Sequence, residues 1–152
     1  FLGYAFEQGD ACKEYLNTVG YKSHNKGVVS HFVMSEVLIN LLIKIKLKDP
    51  LQESIAREKA FKLLDETITR LLIENKLTIL NLTARIIDAE LLNELKEKDT
   101  KLTDDDALHL IEAIKEKCQF FVTTDEKIIK NKGLREHLSN NYSLKIKEII
   151  LG

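Results

Sequence analysis

Thr103-Asp104-Asp105-Asp106-Ala107-Leu108-His109 and, one helix length later, Phe120-Phe121-Val122-Thr123-Thr124-Asp125 decide how this chain is read. The first stretch puts three acids at the start of an apolar-periodic helix, with Ala107, Leu110, Ile111 and Ile114 on its inner face. Thr103 has the hydroxyl of an N-cap, Asp106 stands at the reciprocal position of a capping box, and first-turn acids favour the helix dipole. The second stretch is a short, continuously apolar run of the kind covered on both faces of a sheet. Asp125, just past its end, has two compatible roles. It caps the next helix, with Glu126 in the first turn, and it faces the crevice where open α/β sheets bind ligands. Thr123 and Thr124 end the strand and satisfy backbone groups there. Carboxylates gathered at one sheet edge repel one another, and a divalent cation relieves that repulsion. Asp106, next to the inward face, is the first choice of ligand among the three aspartates. Asp105 is the second, and Asp104 is a helix-start charge.

Working outward, Val28 to Phe32 reads as a strand after Gly27, and residues 34 to 47 as a helix with Val37, Leu38, Leu41, Leu42 and Ile45 on one face. Asp49 and Pro50 supply a cap and a first helical residue for a long helix from 50 to about 75. The two helices form an extended hairpin whose length serves a dimer surface, a partner groove, an RNA-guiding wall or simply a larger core. Leu77 to Leu80 is a short strand, Thr83 to Lys98 a helix, Gln119 to Thr123 a strand, 125 to 138 short helical pieces, and Leu144 to Ile149 contains a last strand. Asp10 to Tyr21 has helical spacing at Ala11, Tyr15 and Val19. Strands alternating with helices predict a three-layer α/β fold.

Composition narrows the partners. At 152 residues the chain fits one domain, residues 1 to 152, and 23 basic against 24 acidic residues give no overall steering toward nucleic acid. Recognition then rests on local patches, of which Lys127, Lys130 and Arg135, beside Asp125, are the most interesting. Cys12 and Cys118 lie far apart with no metal-ligand spacing, and the longest apolar run, Val37 to Ile43, is too short to span a bilayer. The expectation is a cytoplasmic protein with reduced cysteines and no membrane contact. Glu36, flanked by Met34, Val37 and Leu38, is costly if buried without a partner and otherwise lies exposed near a helix start. His109, three residues after Asp106, is a possible ligand but reads first as a packed or hydrogen-bonded histidine.

With these residues in view the chain resembles the PIN-domain family of nucleases, which includes the toxins of many prokaryotic toxin–antitoxin pairs. Asp106-Ala107-Leu108-His109-Leu110 followed by Phe121-Val122-Thr123-Thr124-Asp125 is similar to the family's aspartate-headed helix and Thr-x-Asp strand exit. Val33-Met34-Ser35-Glu36-Val37-Leu38 resembles the segment with its helical acid, and Leu144 to Ile149 its final strand. The resemblance implies a Rossmann-like parallel sheet of order 3-2-1-4-5 and a metal-dependent endoribonuclease. Glu36, Asp106 and Asp125 would hold one or two Mg2+ or Mn2+ ions, with Asp105, Thr123 and Thr124 supporting. Lys127, Lys130 and Arg135 would meet RNA, and an antitoxin or other protein and a second copy of the chain are the expected partners. The family opens with a strand ending in an Asp-Thr-Asn-like motif, whereas Phe1-Leu2-Gly3 is similar to the residues that come after that motif. The expectation is therefore a central strand, with a further acid, ahead of Phe1. A catalytically inactive PIN-like module that binds RNA or protein is the alternative.

Overall fold

Side-chain helix caps and two parallel strand pairs organise the computed structural model, which describes residues 14, 26–48, 52–74, 77–80 and 88–148. Apart from residue 14, the predicted helix at 10 to 21 lies outside them, as do the Asp49-Pro50 cap and the start of the predicted helix at 83. The chain is mixed α/β, in two compact units: residues 1–82 with 151–152, and residues 83–150.

In the first unit, β1 (Gly27–Ser30) leads into α1 (His31–Lys48), α2 (Glu53–Ile73) and β2 (Leu77–Leu80). The two strands pair in parallel from Gly27 opposite Leu77 to Ser30 opposite Leu80. The strand stops two residues short of the Phe32 expected from sequence, because buried Ser30 turns its hydroxyl to accept from Val33 N at 3.2 Å and so starts the helix. His31 Nδ1 donates to the Leu80 carbonyl at 2.9 Å, joining the two strand ends. α1 packs on α2 through a core of Leu41, Ala60, Leu64 and Ile68, with Met34, Val37, Leu38, Leu42 and Ile45 against it. A Lys46–Glu53 ion pair spans the hairpin turn. The opposite face of α1 is also aliphatic, with Ile39, Ile43 and Leu47 exposed at successive helical turns.

In the second unit, α3 (Ala89–Lys98), α4 (Asp104–Lys115), β3 (Phe120–Thr123), α5 (Glu126–Lys130), α6 (Lys132–Tyr142) and β4 (Lys145–Glu148) come in order. β3 and β4 are parallel, from Phe120 opposite Lys145 to Thr123 opposite Glu148. Leu95, Leu110, Ile111, Leu134, Leu138 and Leu144 are fully buried, and Phe121 and Ile146 pack on them from the sheet. Asp88, Thr103, Asp125 and Asn131 each cap the helix after them through a side-chain oxygen. Ser143 turns the chain after α6 in a left-handed conformation, and Lys145 N then donates to the Gln119 carbonyl at 3.0 Å. Phe120-Phe121-Val122 departs from the expectation of cover on both faces: Phe121 packs inward, but Phe120 is 50% exposed. The described strands form two separate two-stranded sheets.

Leu41 is fully buried and Leu47 is 80% exposed, although both belong to the same apolar helix. Urea unfolding should show Leu41→Ala destabilised by about 2–5 kcal/mol, against ~0.5 kcal/mol or less for Leu47→Ala. Equal effects would refute this assignment of the α1 faces.

Candidate functional site

The three aspartates at the start of α4 divide their work. Asp104 forms an ion pair with Lys96 of α3, Asp105 is exposed, and Asp106 is half-buried. Thr103 Oγ1 accepts from Asp106 N at 3.2 Å and donates to Asp106 Oδ2 at 2.6 Å. In a capping box the acid side chain reaches the backbone N–H of the cap residue. An aspartate is one methylene shorter than the usual glutamate, and here it binds the cap hydroxyl instead. That bond orients the carboxylate and leaves Oδ1 outside it.

Asp125 is built the same way from local parts. Its own N–H donates to Thr123 Oγ1 at 3.0 Å, closing a turn at the end of β3, and its Oδ1 accepts from Lys127 N at 2.8 Å. Thr123 thus positions Asp125, while Thr124 is exposed. Oδ2 lies outside the cap bond. Both aspartates are hard oxygen donors of the type that Mg2+ and Mn2+ take. Among the described residues, no group of three or more His, Cys, Asp or Glu side chains is placed to hold a metal ion. Glu36 belongs to the first unit, half-buried on α1, where its carbonyl accepts from Asn40 Nδ2 at 2.9 Å. With α1 beginning at His31, Glu36 sits in the second turn, one turn further in than its sequence position suggested.

The basic patch is partly spoken for. Lys130 donates to Glu126 at 2.5 Å, which holds the Glu126 carboxyl below its ordinary range and raises the Lys130 ammonium. Arg135 donates to the Ile129 carbonyl at 3.2 Å. Lys127 and Lys130 share a surface hollow of ≈ 350 Å³ with Lys101, Asp99, Glu126 and Asn131. The lysines there are accompanied by acids, which weakens the patch as an anion site.

A second cluster has no counterpart in the sequence expectations. Glu94 of α3 accepts at one oxygen from both Tyr142 OH and His137 Nε2 of α6, each at 2.6 Å. Asn141 Nδ2 is 3.0 Å from His137 Nδ1, and the His137 and Tyr142 rings meet edge to face at 5.8 Å. His137 thus bridges Asn141 at one ring nitrogen and Glu94 at the other. The local signal, His137 and Asn141 one turn apart, was visible in sequence. The partner 43 residues earlier was not. The Tyr142 hydrogen bond, with help from His137, holds the Glu94 carboxyl below its ordinary range. Burial first, and then the bond to Glu94, push the Tyr142 phenol up to about 12.

Comparison with family models, with curated proteins and with solved structures finds no match.

Because the folded Glu94 pKa is depressed, its contribution is present above the ordinary carboxylate pKa and is lost as pH falls through the folded value. The raised Tyr142 pKa acts oppositely: its contribution is full below the ordinary tyrosine pKa near 10 and is lost as pH rises through about 12. Thermal melts of Glu94→Gln should therefore lie below wild type at neutral pH and converge with it in acid. A gap that persists unchanged into strong acid would exclude this linkage.

Proposed function

We propose that the chain is a metal-dependent endoribonuclease of PIN type acting in the cytoplasm, with Asp106, Asp125 and Glu36 as its acids. The observation that carries the reading is the placement of Asp106 and Asp125. One heads a helix, the other leaves the C-terminal end of a parallel strand, and a threonine hydroxyl bonded at 2.6 or 3.0 Å holds each segment. Strand pairing supports it. In a sheet of order 3-2-1-4-5, strands 2 and 3 are neighbours, as are strands 4 and 5. β1 with β2 and β3 with β4 are parallel neighbours of that kind.

A bound Mg2+ or Mn2+ supplies an activated water and neutralises charge on the phosphate. The chain's own part is orientation. Thr103 fixes the Asp106 carboxylate, the Thr123 turn fixes the Asp125 backbone, and the cap bond to Lys127 N fixes the Asp125 side chain. Lys127, Lys130 and Arg135 lie on the helices immediately after Asp125, where they meet the RNA backbone in this reading. Asp105, Thr123 and Thr124 support the acids.

The second reading is an inactive PIN-like module that binds RNA or protein. It is favoured by the aliphatic stripe Ile39, Ile43 and Leu47 on the outer face of α1, a surface suited to an antitoxin-like protein or a second copy.

Asparagine caps a helix as well as aspartate does, so Asp→Asn separates charge from structure at both positions. Asp106→Asn, Asp125→Asn and Glu36→Gln should each lower Mn2+-dependent cleavage of a single-stranded RNA by about 100-fold or more, with circular dichroism unchanged. Full activity in folded Asp106→Asn would refute its assignment. A wild-type protein that binds RNA in Mn2+ but never cuts it would establish the second reading.

A further inference from the structure

The β3–β4 sheet has one face turned into the core and one turned out. Phe121 and Ile146 pack inward against the leucines of the second unit. Strand alternation therefore sends Phe120 and Val122, with Lys145 and Lys147, to the other face. Phe120 is 50% exposed there, and both lysines are exposed. The Lys147 ammonium lies 5.8 Å from the centre of the Phe120 ring, so the aromatic face and the charges share one surface. Lys117 adds a further exposed cation in the turn leading into β3.

We propose that this face binds single-stranded RNA, one base stacking on Phe120 while Lys145 and Lys147 take the flanking phosphates. An exposed aromatic ring with cations beside it matches the two recurring chemistries of single-strand recognition, a planar platform for a base and a positive track for the backbone. Lys147 already rests over the ring, where it shields the apolar surface until a base replaces it. The register holds the lysines beside the ring, since Phe120 is opposite Lys145 and Val122 opposite Lys147. The same strand ends at Thr123 about 10 Å further on, at about 3.3 Å per residue, and Asp125 follows the turn there. The platform therefore holds RNA at a distance from the proposed acids. The choice of RNA as the polymer rests on the nuclease reading; the stacking surface itself does not.

The test uses the full chain in EDTA, so that binding is read without cleavage, with fluorescence anisotropy of a labelled single-stranded oligouridylate. Phe120→Ala should weaken binding about tenfold. Phe120→Leu, which keeps apolar volume without a planar face, should weaken it similarly, and Phe120→Trp should restore it. Lys145→Gln with Lys147→Gln should reduce the slope of log affinity against log salt by roughly 1.4. Unchanged affinity and salt slope across these folded variants would overturn the proposal. So would a change of oligomeric state in Phe120→Ala with RNA affinity intact, which would make the face a protein interface. Asp106→Asn separates the two readings: it should bind as wild type and lose cleavage. If it still cleaves, the assignment of Asp106 fails and the platform stands; if wild type never cleaves, the nuclease reading fails and the platform stands.

Discussion

Parallel pairing of short strands is the constraint on which the rest of this structure depends. Two parallel strands cannot be joined by a tight turn, because the chain must travel back along the sheet before the second strand begins. Residues 31 to 76 make that return for β1 and β2 through the α1–α2 hairpin, and residues 124 to 144 make it for β3 and β4 through α5 and α6. Each return starts at the C-terminal end of a strand, where a cap must stop the strand and open a helix. Ser30 does this in the first unit and Asp125 in the second. The candidate acid is thus also part of the device that turns strand into helix.

Local features of this kind were legible in the sequence. Thr103 before Asp106, and Thr123-Thr124 before Asp125, act over two or three residues, and residue type alone constrains their geometry. Strand ends were less legible. His31 and Phe32 read as strand because the run Val28 to Phe32 favours it, yet the Ser30 hydroxyl gives Val33 N a partner and the helix begins there. Long-range contacts left no periodic trace. Lys96 with Asp104, Lys115 with Asp88, and Glu94 with His137 and Tyr142 each join separate elements whose approach depends on the packed leucines.

The cap roles also explain why the acidic stretch is hard to read for function. Asp104 is held by Lys96 and Asp105 is exposed, so two of the three consecutive aspartates have ordinary surface roles. Asp106 differs because its carboxylate is held by a hydroxyl rather than by a cation. A hydroxyl donor orients a carboxylate without cancelling its charge, whereas a lysine does both. The same contrast separates Asp125, bonded to a backbone N–H, from Glu126, paired with Lys130. By this criterion Asp106 and Asp125 differ from Asp104 and Glu126, each of which a lysine neutralises.

Core and surface are coupled through the two-residue period of β3 and β4. Phe121 and Ile146 are directed inward by packing on Leu110, Ile111, Leu134, Leu138 and Leu144. A slip of one residue would bury Phe120 and Lys145 in their place, and burying a lysine without a partner is far costlier than burying an isoleucine. The leucine core therefore fixes the outward set as firmly as the inward one. Thr123 keeps its place at the strand end by the same register, opposite Glu148, and carries the turn that presents Asp125. Stability in this unit and the presentation of its exposed ring, lysines and carboxylate are consequences of one strand alignment.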